Sequence, residues 1–177
     1  MSKYINDIYN LQYENIQNMR IPIKLYRYTI EKVIVEHKGK CIILSSTHPQ
    51  TKAKIAIKCI PIQFVQEEGK EARIMKLLHH PNIIEILDSF IYPEENPRFF
   101  AIVMPRAVND LTHYLLANFP FEERLICQIM KQILNAVNYL HGNHIWHCDL
   151  KPDNVLVMEE TRDGLKVALA DFGCANK

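Results

Sequence analysis

The hydrophobic period of this chain changes once along its length, and that change limits what it can fold into. From Leu25 to Ile60 the apolar residues come in short β-branched runs, Val33-Ile34-Val35, Ile42-Ile43-Leu44 and Ile55-Ala56-Ile57, separated by turn-prone stretches at His37–Lys40 and Ser45–Lys54. The pattern predicts three antiparallel strands. Residues 66–79 then place Ala72, Met75, Leu78 and His79 on one face at 3.6-residue spacing, with Pro81 close behind as a stop. Two further apolar runs, Ile83–Phe90 and Phe99–Met104, flank the turn-rich stretch YPEENPR and bring the expected sheet to five strands. After Pro105 the period becomes helical. Residues 121–141 repeat apolar groups at Leu125/Ile126, Ile129/Met130, Ile133/Leu134, Val137 and Leu140, behind Glu122 and Glu123, whose charge suits a helix N-terminus. Gly142 and Asn143 read as the left-handed stop of that helix, and two strand-like runs follow, Asn154–Met158 and Leu165–Ala170, joined by ETRDG. Strands gathered first and helices after them imply an α+β fold. Residues 1–24 stand outside this plan as an N-terminal extension, in which Ile5, Ile8, Leu11, Ile16 and Met19 form an imperfect helical pattern.

Composition removes several alternatives. The 177 residues carry 21 Lys+Arg against 20 Asp+Glu, so the charge surplus of a uniformly basic nucleic-acid binder is absent, and no nucleic-acid partner is expected. No window reaches the roughly 18 to 20 uninterrupted apolar residues of a membrane helix. The N-terminus, rich in Asn, Asp and Glu, has no apolar core of a secretion signal. Five cysteines, Cys41, Cys59, Cys127, Cys148 and Cys174, are odd in number and lack CxxC spacing, which fits a cytoplasmic, reducing compartment better than a disulfide framework or a zinc site. The five glycines are scattered so widely that neither GxGxxG nor GxxxxGK[ST] can be written, so Rossmann and Walker-type phosphate cradles are excluded.

The residues that carry chemistry stand near the C-terminus. His147-Cys148-Asp149-Leu150-Lys151-Pro152-Asp153-Asn154 is followed, seventeen residues beyond Asn154, by Asp171-Phe172-Gly173. Phosphoryl transfer asks for a group that orients the incoming hydroxyl, for hard oxygen ligands to Mg²⁺, and for a cation on the moving phosphoryl. Taken alone, Asp-Phe-Gly is an ordinary turn tripeptide. The conjunction of motifs decides the reading.

The spacing H-x-D-L-K-P-x-N and then D-F-G, preceded by Tyr139-Leu140-His141, resembles the catalytic and metal-binding loops of the serine/threonine protein kinases. Ile55-Ala56-Ile57-Lys58 is similar to that family's V-A-I-K strand, and the stretch from Lys70 to Ile84 is similar to the helix after it and the turn into the next strand. The resemblance covers Tyr28 to Asn176 and implies a protein-kinase-like architecture. A five-stranded antiparallel N-lobe with one helix would occupy residues 25–106 with the start of the hinge, and the first part of a helical C-lobe residues 107–177. It also implies roles. Lys58 would hold the α- and β-phosphates of ATP and pair with Glu71, which alone among Glu67, Glu68 and Glu71 has the register of the family pattern. Asp149 would accept or orient the hydroxyl proton of a Ser/Thr protein substrate, Lys151 would steady the transferring phosphoryl, and Asn154 and Asp171 would ligate Mg²⁺. For the adenine, Ala56 and Leu156 would roof and floor the ring, with Met104 as gatekeeper and Pro105-Arg106-Ala107 as the hinge. Pro105 and Ala107 would bind through the backbone and Asp110 would face the ribose. His147 reads as structural.

Three departures from the family qualify what the resemblance implies. The segment Val33–Cys41 holds one glycine where the pattern has up to three, which sets side chains, Glu36 among them, against the phosphates. Cys148 replaces the Arg of H-R-D, which implies regulation without a phosphorylated activation loop. The sequence stops four residues after Gly173, so the expectation is a partial domain whose peptide-substrate platform is not included. The far face of helix 121–141 would then be exposed apolar surface open to a partner or a second copy. A non-catalytic, kinase-like ATP-binding or partner-binding module is the alternative reading.

Overall fold

The computed structural model describes residues 24–37, 41–65, 69–92 and 98–177. The expected N-terminal helix and the expected competitors Glu67 and Glu68 lie outside them, as do Lys38–Lys40 of the phosphate-loop segment. The chain divides into two compact units, one of residues up to Gly69 with Ile86–Arg106, the other of Lys70–Glu85 with Ala107–Lys177.

The first unit is an antiparallel sheet built from β1 (Lys24–Leu25), β2 (Tyr28–His37), β3 (Cys41–Thr47), β4 (Lys54–Pro61), β5 (Asp88–Tyr92) and β6 (Phe99–Pro105). Its order is β1-β2-β3-β4-β6-β5. The five expected strands are present, and a sixth, the two-residue β1, pairs onto β2 through Lys24↔Thr29 and Leu25↔Tyr28. Alternation sorts the side chains. Leu25, Tyr28, Ile42, Leu44, Ile55, Ile57, Cys59, Phe99, Ala101 and Val103 form one buried cluster. Ser45, Ala56, Lys58, Ile102 and Met104 alternate with them and belong to the opposite face. The Tyr28 hydroxyl donates to Asp88 Oδ2 at 3.0 Å and Arg27 Nη2 approaches the same oxygen at 2.8 Å, which ties β2 to β5. The expected strand over Ile83–Phe90 is not continuous. It starts only at Asp88, because Ile83 and Ile84 bridge to Leu169 of the second unit instead. A short apolar run satisfies either environment, and periodicity cannot tell which.

The second unit holds three helices, α1 (Lys70–Lys76), α2 (Leu111–Ala117) and α3 (Glu123–Gly142), and a small sheet in the order β7 (Asn109–Asp110), β8 (Val155–Thr161), β9 (Gly164–Leu169). α1 is shorter than the expected 66–79. Gly69, at φ +73, takes a left-handed conformation that cannot open a helix interior, and Leu78 already hydrogen-bonds three residues back. Ala72, Ile74, Met75 and Leu78 are buried, whereas His79 is exposed. α3 buries Ile129, Ala136 and Leu140 and packs on β9. It leaves Ile126, Met130 and Leu134 exposed at 42%, 46% and 59%, a stripe at four-residue spacing. Its left-handed terminator is His144 at φ 56, two residues beyond the expected Gly142, which is still helical.

The free edge of β9 is finished by side chains. Gln132 of α3 donates through Nε2 to Leu165 O at 2.7 Å and accepts from Val167 N at 3.0 Å. Asn82 donates through Nδ2 to Val167 O and to Gln132 Oε1, both at 2.9 Å, while its own carbonyl accepts from Leu169 N at 2.8 Å. These bonds stand in for a neighbouring strand, because buried backbone groups need partners. They also fix the strand that ends two residues before Asp171.

Candidate active site

In the second unit the chain between α3 and β8 folds back on itself. Asp149 Oδ2 accepts from Lys151 Nζ at 2.7 Å and from Asn154 Nδ2 at 2.8 Å, and Asn154 Nδ2 also reaches the Asp149 carbonyl at 2.8 Å. A 3₁₀ turn over Pro152–Asn154 makes this possible by curling Asn154 back toward Asp149. The Lys151 ammonium first, and the Asn154 amide second, hold the Asp149 carboxyl below the usual carboxylate range, while the Asp149 hydrogen bond raises Lys151. Asp149 is therefore an ionised carboxylate with one oxygen committed. Its other oxygen, Oδ1, has no donor among the described residues.

Asp171 is delivered by β9. Val155↔Leu169 is the last register pair of the β8–β9 hairpin at that end, and Ala170 N then donates to Asn154 O at 2.9 Å. This places Asp171 one residue past a bond to Asn154, and its charge acts on Lys151. Asp171 has φ 63, a left-handed backbone rare for a non-glycine residue and held here by its neighbours. On one side is buried Phe172, whose ring lies 4.9 Å from the His147 ring. On the other is His147 itself, with Nε2 2.9 Å from Ala170 O. Asp149 N donates to His147 Nδ1 at 3.3 Å, so Nδ1 is the acceptor and the proton sits on Nε2. His147 thus clasps the loop carrying Asp149 to the strand carrying Asp171, the structural role read from the sequence.

Glu71 belongs to the same unit. α1 packs against the turn Phe172–Cys174, and a β-carbon placed on Gly173 would lie 3.3 Å from Asp171 Oδ1 and 3.8 Å from Glu71 Oε2. The two carboxylates therefore flank one glycine. Asp110 and Leu156 are register partners of β7 and β8, and Val108, next to Ala107, donates to Val157 O at 2.8 Å. Asp110 has a duty that the sequence reading missed. It caps α2, with Oδ1 accepting from His113 N at 2.8 Å and Oδ2 lying 2.7 Å from His113 Nδ1. Asp110 followed by a short apolar run was the available signal.

In the first unit, Ala56 pairs directly with Met104 and Lys58 with Ile102, while Ile55 pairs with Pro105. Ala56 and Met104 are nearly buried at 7% and 8% exposure. They lie on the face opposite the large apolar cluster, on the same side as Lys58. The β2–β3 hairpin pairs as far as His37↔Cys41, and the phosphate-loop residues Lys38–Lys40 lie outside the described residues.

As for cations, no group of three or more His, Cys, Asp or Glu side chains able to hold a metal occurs among the described residues. An Asn amide oxygen beside an Asp carboxylate is nevertheless a donor set that suits a hard ion completing its shell with phosphate oxygens and water. Asn154 fits that role, because both bonds of its Nδ2 go to Asp149 and neither uses the amide oxygen.

An antiparallel sheet with a lysine and a small residue on one face, and a hairpin unit that gathers Asp149, Lys151, Asn154 and Asp171, define a kinase-type phosphoryl-transfer fold. The chain belongs to the protein kinase domain family, which its residues 38–177 match. It is 33% identical over 143 residues to "Probable serine/threonine-protein kinase fhkA" of Dictyostelium discoideum, covering 76% of this chain and 24% of that protein. It is 32% identical over 167 residues to serine/threonine-protein kinase SIK1 of Mus musculus, covering 90% and 20%. Serine/threonine-protein kinase TIO of Arabidopsis thaliana is 35% identical over 134 residues, covering 70% and 10%. The chain thus spans a quarter or less of the length of these relatives. No described helix is long and apolar enough to cross a membrane.

Proposed function

We propose that this chain carries the nucleotide-binding and phosphoryl-transfer part of an ATP-dependent serine/threonine protein kinase, which moves the γ-phosphoryl of ATP to a hydroxyl of a protein substrate. The observation that carries the reading is the Asp149–Lys151–Asn154 cluster, clasped through His147 and Ala170 to the strand bearing Asp171. In this reading Asp149 orients the incoming hydroxyl and takes its proton on Oδ1, the oxygen that Lys151 and Asn154 leave open. An ionised carboxylate is the state such a group needs at neutral pH. Lys151, 2.7 Å from Asp149, supplies the cation that neutralises charge on the phosphoryl in flight. Asn154 and Asp171 would hold Mg²⁺, which would supply positive charge to offset that of the phosphate oxygens. Lys58 holds the α- and β-phosphates, with Glu71 as its partner. Ala56, Met104 and Leu156 enclose the adenine, backbone groups of Pro105 and Ala107 bind its edge, and Asp110 meets the ribose while capping α2.

The alternative, a kinase-like module that binds nucleotide or a partner without transferring phosphoryl, draws on the single glycine in Val33–Cys41. Transfer of radiolabelled γ-phosphoryl to Ser/Thr substrates by the full-length protein separates the two. Turnover lost in Asp149→Ala supports the kinase. Nucleotide binding without any turnover supports the module.

A further inference from the structure

The structure holds a pair of thiols that phosphoryl transfer does not use. Trp146 and Asn176 form an antiparallel bridge, with Trp146 N donating to Asn176 O at 2.8 Å and Asn176 N to Trp146 O at 2.9 Å. In such a doubly bonded pair the Cα atoms lie about 5.5 Å apart. Counting inward from the bridge sets His147 opposite Ala175 and Cys148 opposite Cys174. Burial keeps the same step on both chains. Trp146 and Asn176 are exposed, His147 and Ala175 are buried at 3% and 0%, and Cys148 and Cys174 are exposed again. Opposed residues of an antiparallel pair share a face, and both thiols are exposed. Cys148 Sγ also lies 3.5 Å from Trp146 O, the carbonyl that Asn176 N already reaches. The thiol therefore leans over the bridge. Past it the ladder opens, because Cys148 has φ 62 and Phe172–Cys174 form a 3₁₀ turn. Cys148 and Cys174 are themselves exposed, and a disulfide between them requires a Cα separation of about 4.4–6.8 Å.

We infer that Cys148 and Cys174 are a redox pair that closes to a disulfide under hydroperoxide and reopens under a dithiol. One thiolate attacks the O–O bond of hydrogen peroxide, giving a sulfenic acid and, with a proton, water. The other thiolate attacks the sulfenyl sulfur and expels the oxygen as a second water. Two thiols and one peroxide thus give one disulfide and two waters. All five cysteines are free, and a pair that cycles in this way suits a reducing compartment better than a permanent bridge would. The ring so closed, residues 148–174, contains Asp149, Lys151, Asn154 and Asp171, so oxidation would hold the loop and the strand of the candidate active site in one fixed arrangement. The inference goes beyond the proposed function and does not depend on it.

The test is a disulfide map of the 177-residue chain, fully reduced and then treated with stoichiometric hydrogen peroxide, digested without reductant and read by mass spectrometry. The expected product is monomeric protein in which Cys148 and Cys174 peptides are joined, free thiols fall from five to three, and dithiothreitol restores them. The joined peptide should be missing from Cys148→Ser and from Cys174→Ser and unchanged in Cys127→Ser. Separate sulfinic acids at Cys148 and Cys174, pairing of either with Cys127 or with a second chain, or no loss of thiols would each overturn the inference. The wild-type map reads the linkage directly, so misfolding of a variant leaves the test intact.

Discussion

Replacing Asn82 by Ala removes the side chain that finishes the edge of β9, and the cost can be worked from the structure. Two hydrogen bonds are lost, each 2.9 Å long, to Val167 O and to Gln132 Oε1. At about 1 kcal/mol for each, the direct loss is about 2 kcal/mol. Val167 is 1% exposed, so its carbonyl is left without its donor in a site that water reaches poorly, which adds about 1 to 2 kcal/mol. Gln132 Oε1 keeps its bond from Val167 N at 3.0 Å and adds little. The expected destabilisation is about 3 to 4 kcal/mol, and Asn82→Asp should cost more, because a carboxylate oxygen would then face the Val167 carbonyl. Urea unfolding followed through Trp146, the one tryptophan of the chain and a residue of the second unit, reads this directly. With a slope of about 2 kcal/mol/M the midpoint should fall by roughly 1.5 to 2 M. Because Asn82 and Gln132 share a bond, Asn82→Ala/Gln132→Ala should lose less than the sum of the single changes. A cost for Asn82→Ala below about 1 kcal/mol, or strict additivity, would refute the view that these side chains replace a strand.

Three further outcomes follow from the same geometry. Lys151→Met should bring the Asp149 carboxyl up toward its ordinary range, since the Lys151 hydrogen bond is the leading cause of its depression; an unchanged NMR titration midpoint would contradict this. A depressed folded value stabilises the protein above the ordinary carboxylate range and is lost as pH falls through that depressed value, so wild-type and Lys151→Met stabilities should respond to Asp149 differently only in acid. Iodoacetamide at pH 8 should label Cys127, Cys148 and Cys174 in the native protein and spare Cys59, whose thiol burial pushes well above its usual range; labelling of native Cys59 at the rate of Cys127 would count against the buried cluster. Gly164→Ala should cost about 1 to 3 kcal/mol, because φ is +141 and the new β-carbon would also push the Gln128 side chain aside, whereas Gly142→Ala meets nothing within 4 Å and should be neutral or up to about 1 kcal/mol stabilising. Thermal unfolding of the two variants side by side decides it.

The elements that were legible in the sequence are those whose signal is local. β-branched runs between turn residues announce β2, β3 and β4, and the 3.6-residue period announces α3, because burial of one face dictates both. The cluster of Asp149, Lys151 and Asn154 was legible as well, since a single tight turn brings residues two and five apart together. What was not legible depends on distant partners. Ile83 and Ile84 look like the beginning of β5, yet they bond to Leu169, about half the chain away. His144 rather than Gly142 takes the left-handed turn after α3, although glycine is the residue that tolerates it most easily. α2 is only seven residues long and too short for periodicity to reveal, so the capping duty of Asp110 stayed hidden behind its resemblance to a ribose-binding acid. The roles of Asn82 and Gln132 follow from where β9 runs out of neighbours, which no sequence spacing records.

Thermal unfolding with and without nucleotide tests whether Asn154 and Asp171 hold a metal through which the chain binds ATP, as proposed above. A ligand that binds only the folded state raises the melting temperature by linkage, with a free energy of RT ln(1+[L]/Kd). Mg²⁺ and ATP together should raise the melting temperature of the wild-type chain, with a Kd weaker than about 100 μM because one glycine stands where the phosphate loop has up to three. Asp171→Asn should abolish the Mg²⁺-dependent part of that rise. A rise of the same size in Asp171→Asn with EDTA present would show that Asp171 holds no metal for the nucleotide.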